Sequence, residues 1–234
     1  MRILLCAFLL DAAAPAADTE RTSAGDLVIT PVKHASLMLQ FGGKVIHIDP
    51  QSQGDYSSLP RADYIFITDI HGDHMDKAMV DKLKKDSTII VAPAAVAKNI
   101  TGAVVMNNGE KKKFEEFEVE AAPMYNLQRG PQPGAFYHTK GRGNGYILTL
   151  GGKRLYIAGD TEAIPEMKAL KNIDIAFICM NLPYTMTPEE AAAGVKVFRP
   201  KVVYPYHHRG SDIKAFAGLL KDEKGIEVRL REWY

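Results

Sequence analysis

Asp63-Tyr64-Ile65-Phe66-Ile67-Thr68-Asp69-Ile70-His71-Gly72-Asp73-His74 is the stretch on which the fold turns. Its first part, DYIFITD, is a short β-branched and aromatic run, the pattern of a buried strand. Its second part places two histidines and two aspartates among the six residues from Asp69 to His74, in a tight turn around Gly72. Loops at the C-terminal ends of buried strands cluster and bind ligands. Imidazoles and carboxylates converging there are a donor set for zinc, manganese or iron. The competing reading is a solvated polar loop.

Three further segments end strands in the same way: Gly159-Asp160-Thr161 after KRLYIA, Tyr206-His207-His208 after KVVYP, and Met124-Tyr125-Asn126 after FEVEAAP. A lone Asp after a strand is ordinarily a helix cap or turn former. A lone His is ordinarily a satisfied surface or core group. Four such strand ends in one chain favour a shared site.

Around these segments the chain alternates strands and helices. DLVITPV, SLMLQF and KVIHIDP read as strands, the last two joined by a turn at Phe41-Gly42-Gly43-Lys44. DKAMVDKLKK reads as a helix, STIIVA and FEEFEVEAAP as strands. The second half has a hairpin about Gly151-Gly152, a short helix at IPEMKALK, the strand IDIAFICM, and strands at KVVYPYHH and IEVRLRE flanking the helix SDIKAFAGLLKD. Thr187-Pro188-Glu189-Glu190 is a helix start, with Thr187 as N-cap and Glu190 closing a capping box. Two strand-rich halves with helices interleaved predict two facing sheets with helices outside, pseudo-symmetric about the middle.

Composition sets outer bounds. The chain has 234 residues, 46% hydrophobic and 24% charged, which excludes a disordered or collagen-like protein. Its formal net charge of +1 gives no global basic field to gather nucleic acid. No apolar run reaches the ~18 residues of a membrane span. Residues 25–234 read as a single domain. Residues 1–17 read as a secretory signal: Arg2, an apolar Ile3 to Leu10, then the small residues Ala12 to Ala16. The expected location is periplasmic or extracellular; a short retained helix is the alternative. Cleavage leaves Cys179 as the sole cysteine, inside a buried-strand pattern, where it reads as an inert core residue.

The strand-end residues together resemble the metallo-β-lactamase superfamily. Its hallmark is His-x-His-x-Asp-His after a strand, followed by a later His, an Asp after a strand and a final His. The resemblance runs from Asp26 to Tyr234 and implies an α/β, four-layer αβ/βα sandwich with metal at one sheet edge. Lys33-His34-Ala35-Ser36, Asp49-Pro50 and Gly159-Asp160-Thr161-Glu162 look like the branch of ascorbate-phosphate lactonase-like and phospholipase D-like metallohydrolases. By this resemblance His71 is a ligand of the first metal and Asp73 and His74 are ligands of the second. Asp160 bridges both, and His207 completes the second site. Two departures stand out: Asp69 replaces the first motif histidine and Asn126 replaces the middle one. The second position therefore keeps a fuller ligand set than the first, and one divalent ion is as well supported as two. A working Asp69 carboxylate favours manganese over zinc.

Other residues are candidates for the pocket rather than the metal. His34 either lies near the metal or is a turn histidine. Asn126 is at best a weak oxygen ligand. The loop His138-Thr139-Lys140-Gly141-Arg142 is basic and flexible, with Lys140 or Arg142 available to an anionic substrate group. His138 is also a candidate for the missing imidazole. Tyr184 is placed to line the pocket. The run Glu110-Lys111-Lys112-Lys113 reads as a solvated turn.

The implied activity is metal-dependent hydrolysis. A divalent ion lowers the pKa of a bound water towards ~7 and holds the hydroxide against an ester, lactone, amide or phosphodiester bond. Asp73 orients that water. The other reading is a non-catalytic metal- or ligand-binding protein on the same fold. The expected partner is a small-molecule substrate, anionic ones included, and not nucleic acid, because no added substrate-clamping domain or basic tract is present.

Overall fold

The computed structural model describes residues 17–234. The apolar run and cleavage region of the expected export signal lie outside the described residues.

The first sheet contains β1 (Asp18–Thr22), β2 (Gly25–Lys33), β3 (Ser36–Phe41), β4 (Lys44–Ile48), β5 (Ala62–Phe66), β6 (Lys84–Ala92) and β7 (Val104–Val105), side by side in sequence order. Helices α1 (Lys77–Leu83) and α2 (Ala94–Ala97) follow β5 and β6. The second sheet contains β8 (Lys111–Lys113), β9 (Phe117–Met124), β10 (Gly143–Leu150), β11 (Lys153–Ile157), β12 (Ile175–Cys179), β13 (Val202–Tyr206) and β14 (Glu227–Val228), again in sequence order. Helices α3 (Pro165–Lys168), α4 (Pro188–Phe198) and α5 (Ile213–Leu220) lie between its later strands. In each sheet three antiparallel pairings are followed by three parallel ones. The two halves thus repeat one topology, as their similar sequence order predicts.

Side-chain alternation along the strands builds the layers. On β5 and β6, Tyr64, Phe66 and Val91 enter the core shared with the second sheet. Phe66 meets Tyr146 of β10 with ring centroids 5.1 Å apart. Ile65, Ile67, Ile90 and Ala92 face the other way, onto Met79, Val80 and Leu83 of α1 and Val96 of α2. Each such apolar side chain, fully buried, contributes roughly 1.5–3 kcal/mol. On the far side α4 buries Ala191, Ala192, Val195 and Phe198, one stripe at helical spacing. Its N-terminus carries the expected capping box between Thr187 and Glu190.

Several elements differ from the sequence reading. Lys111–Lys113 is not a solvated turn but the edge strand β8. Its lysines face Glu120 and Glu118 across the ladder, with Lys111 3.2 Å and Lys113 3.8 Å from them. Cross-strand charge complementarity offsets the poor strand propensity of lysine, and a basic edge resists pairing with other chains. The final run forms only the short β14, and β1, β7 and α2 carried no periodic signal long enough to mark them.

Candidate metal centre

One edge of the two sheets collects the polar strand ends. The loop after β5 carries Asp69, His71, Asp73 and His74; Asp49 follows β4, Asp160 follows β11 and His207 follows β13. The β2–β3 turn brings His34, and the segment between β9 and β10 brings Asn126, His138, Lys140 and Arg142. His34, Asp49 and His207 have φ of 55°, 42° and 45°, left-handed conformations that non-glycine residues rarely adopt. Such strain concentrates at functional sites, where the surrounding fold enforces it. Gly159, before Asp160, has φ 64°, and a Cβ there would lie 2.6 Å from Met124 Sδ. The left-handed φ at Gly159 suits glycine and shapes the turn that carries Asp160 into the cluster.

His74, Asp160 and His207 form the buried heart of the site. His74 Nε2 lies 3.3 Å from Asp160 Oδ2, and His207 Nε2 lies 3.3 Å from Asp160 Oδ1 and 3.4 Å from Asp73 Oδ2. The far side of His74 is fixed: its Nδ1 sits 2.8 Å from Asp49 Oδ2. Asp49 also accepts the Thr68 amide and hydroxyl at 2.7 and 2.6 Å. This is the arrangement in which a carboxylate holds Nδ1–H and turns Nε2 to a metal. Asp49 carries no local signal beyond the Asp49-Pro50 motif; the fold places it against His74 Nδ1.

A second group adjoins the first. Ligand atoms of Asp69, His71 and His138 lie within 4.8 Å of one another. His71 Nδ1 is 2.9 Å from Asp69 Oδ2, and His138 Nε2 is 3.1 Å from Asp160 Oδ2. His138, not Asn126, therefore stands among the ligand candidates of the first position. Asn126 Oδ1 instead accepts from His138 N at 2.7 Å and lies 2.8 Å from His138 Nδ1. The Asn126 amide nitrogen donates to the Tyr184 carbonyl at 2.8 Å and to Glu162 at 3.2 Å. Glu162 also accepts the amides of Leu127, Gln128 and Arg129, so it shapes the loop on which Asn126 sits. Asn126 is thus placed to support the His138 imidazole.

The two cations assigned to an anionic substrate are both paired. Arg142 donates to both oxygens of buried Asp69, at 3.1 and 2.7 Å. Lys140 donates to Glu166 at 2.6 Å. Tyr184 offers its backbone to Asn126, and its exposed ring packs edge-on against Tyr137 at 4.9 Å. His34 is buried, with Nε2 3.0 Å from Asp73 Oδ2 and its ring 3.7 Å from that of His207.

Charge follows from this crowding. Burial alone would raise the Asp160 pKa, but His207, His74 and His138 hold it well below the carboxylate range. Asp73 is likewise burdened by burial but held far down by His207, His34 and His74. His74 is buried, yet Asp160 and Asp49 on either side raise its pKa well above the usual imidazole value. Burial pushes His34 down to about 4 against the pull of Asp73. Buried atoms His74 Nε2, His207 Nε2 and Asp160 Oδ1 have no hydrogen-bond partner. Unpaired buried polar atoms are costly, and three converging imidazole and carboxylate atoms suit a divalent ion. The donor set fits a metal.

Paired sheets of repeated topology with a histidine–aspartate centre at their strand ends define a metal-binding αβ/βα sandwich. The family described as "Beta-lactamase superfamily domain" matches residues 28–207, and the chain belongs to the metallo-β-lactamase superfamily. It is 30% identical over 213 residues to a UPF0173 metal-dependent hydrolase of Symbiobacterium thermophilum, covering 85% of this chain and 89% of that one. A solved structure of a candidate metal-dependent hydrolase from Parabacteroides distasonis superposes with TM-score 0.89 at 44% identity, covering 94% of this chain and all of the other. A metallo hydrolase from Ignicoccus hospitalis shares the fold, with TM-score 0.73 at 23% identity over 88% of this chain and 95% of that one.

Proposed function

We propose that this chain is a metal-dependent hydrolase whose ion is held by Asp73, His74, Asp160 and His207, with Asp69, His71 and His138 framing an adjoining position that shares Asp160. The observation that carries the reading is the convergence of the unpaired, buried His74 Nε2, His207 Nε2 and Asp160 Oδ1 beside Asp73. A divalent ion there supplies Lewis acidity and lowers the pKa of water towards ~7. Zinc and manganese both suit the donors; the Asp69 carboxylate weighs towards manganese in the adjoining position.

The protein's own groups divide the remaining work. Asp73 is 33% exposed, the one carboxylate of the second position that reaches the mouth. It orients the attacking water by accepting a hydrogen bond, while His34 holds its other oxygen. Asp49 and Thr68 lock His74, and Asn126 locks His138, so little reorganisation is needed at reaction. With Lys140 and Arg142 both occupied by carboxylates, the pocket favours a substrate whose reacting end is uncharged: an ester, lactone or amide ahead of a phosphodiester. We place this work outside the cytoplasm, a location supported by the export pattern of residues 1–17.

The test is metal analysis of protein purified without chelator, joined to turnover of aryl esters, lactones, amides and phosphodiesters. Metal-dependent turnover of one class supports the hydrolase. Tight metal binding with no turnover of any class favours the second reading, a binding protein, for which the Asp69–Arg142 pairing is the supporting observation.

A further inference from the structure

Tyr234 lies beyond residue 207, where the family match ends, and no motif marks it. Its hydroxyl oxygen accepts the backbone N–H of Arg209 at 2.7 Å and sits 2.5 Å from His34 Nδ1. His34 Nε2 in turn lies 3.0 Å from Asp73 Oδ2. The main chain ties the same residues: His34 N donates to Trp233 O at 2.9 Å and His207 N donates to His34 O at 3.0 Å. His34 is thereby clamped between the Trp233–Tyr234 segment and the ligand candidate His207.

We propose that Tyr234 is a positioning residue of the metal centre: through His34 it fixes Asp73, and His34 is a hydrogen-bond donor to Asp73 rather than a ligand of the ion.

The direction of each bond follows from what the atoms can do. An ionised carboxylate only accepts, so His34 Nε2 carries a hydrogen. Tyr234 Oη already accepts the Arg209 N–H, and its own hydrogen needs an acceptor, for which His34 Nδ1, 2.5 Å away, is placed. With Nε2 carrying the hydrogen towards Asp73, Nδ1 is the lone pair to which Tyr234 O–H donates. The chain therefore runs one way: Arg209 N–H to Tyr234 Oη, Tyr234 O–H to His34 Nδ1, His34 Nε2–H to Asp73 Oδ2. A protonated Nε2 has no lone pair for an ion, although Nε2 lies in a cluster with Asp73 and His207 whose ligand atoms are within 4.8 Å of one another. The partly exposed Asp73 is left with Oδ1 for the ion or the water. Without the Tyr234 hydroxyl, His34 is free to take the other tautomer, whose bare Nε2 repels Asp73.

This inference rests on the metal centre proposed above, and two independent readouts separate their failures. Nitrogen-15 NMR of the metal-free protein reads the His34 tautomer. We expect Nε2–H in wild type and a tautomer mixture in Tyr234→Phe. Zn²⁺ titration should show about tenfold weaker binding in Tyr234→Phe at unchanged stoichiometry, the usual scale for losing a support of a ligand. His34→Ala should weaken binding further and still keep the number of ions. Wild-type His34 as the Nδ1–H tautomer, or Tyr234→Phe binding Zn²⁺ as tightly as wild type, would overturn the proposal, as would loss of one whole ion in His34→Ala. A wild type that binds no Zn²⁺ overturns the metal centre and with it the Asp73 role, while the tautomer still decides whether Tyr234 sets His34.

Discussion

Arg142 grips Asp69 through two parallel hydrogen bonds, Nε to Oδ1 at 3.1 Å and Nη2 to Oδ2 at 2.7 Å. Asp69 is fully buried and Arg142 one-fifth exposed. The candidate first metal position is therefore framed by a carboxylate whose charge is already balanced, unlike Asp160, whose neighbours are imidazoles.

Removing the guanidinium tests this balance. Arg142→Met leaves Asp69 buried without a counter-charge, and we expect a loss on the order of 2–4 kcal/mol in the presence of chelator, below or within the range for broken buried pairs because Arg142 is partly solvated. Added Mn²⁺ or Zn²⁺ should recover much of that loss by supplying the missing positive charge. Chemical denaturation with and without metal reads both effects. An Arg142→Met protein as stable as wild type in chelator would show that the pair contributes nothing.

His138 gives a second test of the same position. His138→Ala should lower metal content or affinity at the first position while the second, built on His74, Asp160 and His207, still fills. Asn126→Ala should act in the same direction but more weakly, by about 10-fold in affinity, because it removes a support and not a ligand. Metal titrations of the two variants side by side check the order. Equal, undiminished binding in both would remove His138 from the centre.

These two residues also mark where sequence reading reached its limit. Asp69 to His74 was legible because strand pattern, tight turn and donor types coincide within one short segment. Asp160 and His207 were legible for the same local reason: each directly ends an apolar strand. His138, a candidate in the sequence for the missing imidazole, follows no strand end. It reaches the site only because Glu162 folds the 126–129 backbone and Asn126 captures the imidazole, and neither contact has a local pattern. Tyr234 meets His34 across a separation of 200 residues. Arg142 looked free for substrate because sequence shows a charge but not its partner. The sheets were legible from alternation, whereas the lysine edge β8 was not, since its partners Glu118 and Glu120 are set by register.

The charge state of His74 predicts how metal and protons compete. Its pKa is raised in the folded, metal-free protein by Asp160 and Asp49. A raised histidine contributes stability that is fully present below the unfolded value near 6.5 and is lost as pH rises through the folded value. The metal-free protein should therefore weaken as pH climbs above the unfolded value near 6.5 and through the raised folded value, and the metal-loaded protein should not, since the ion takes the proton's place. On the acid side His34, pushed down to about 4, works the opposite way: stability should fall as pH drops from about 6.5 towards 4. Unfolding temperature against pH, with chelator and with Zn²⁺, reads both limbs. Because the His74 pKa is raised, metal binding should also release protons, measurable by calorimetry in buffers of different ionisation enthalpy. Zero proton release would mean that His74 is already neutral.

The export expectation meets a structural boundary at Asp18. Asp18 begins β1, accepts two hydrogen bonds from Arg231 at 2.9 and 2.6 Å, and accepts the Tyr204 hydroxyl at 2.8 Å. Cleavage between Ala14 and Asp18 would leave β1 and these bonds intact, whereas cleavage past Asp18 would sacrifice them. N-terminal sequencing of protein recovered from its native cells should find a start in that window, in the fraction outside the cytoplasm. A start at Met1 or Arg2 would reject export.

Asp160 should be the least replaceable residue of the centre. Its Oδ1 faces His207 and its Oδ2 faces both His74 and His138, so a single carboxylate touches both candidate metal positions. Asp160→Asn keeps the shape but removes the negative charge that holds a cation and balances the surrounding imidazoles. Metal affinity and hydrolysis should fall together, each by at least 100-fold, whichever number of ions the enzyme uses. Asp69→Asn discriminates the number. It should be mild if only the Asp73–His74–Asp160–His207 position is filled, and comparable to Asp160→Asn if Asp69 is a working ligand. Metal content and turnover measured on both variants separate the cases. Full metal loading with wild-type turnover in Asp160→Asn would defeat the proposed centre, because no other carboxylate among the described residues contacts His74, His138 and His207 together.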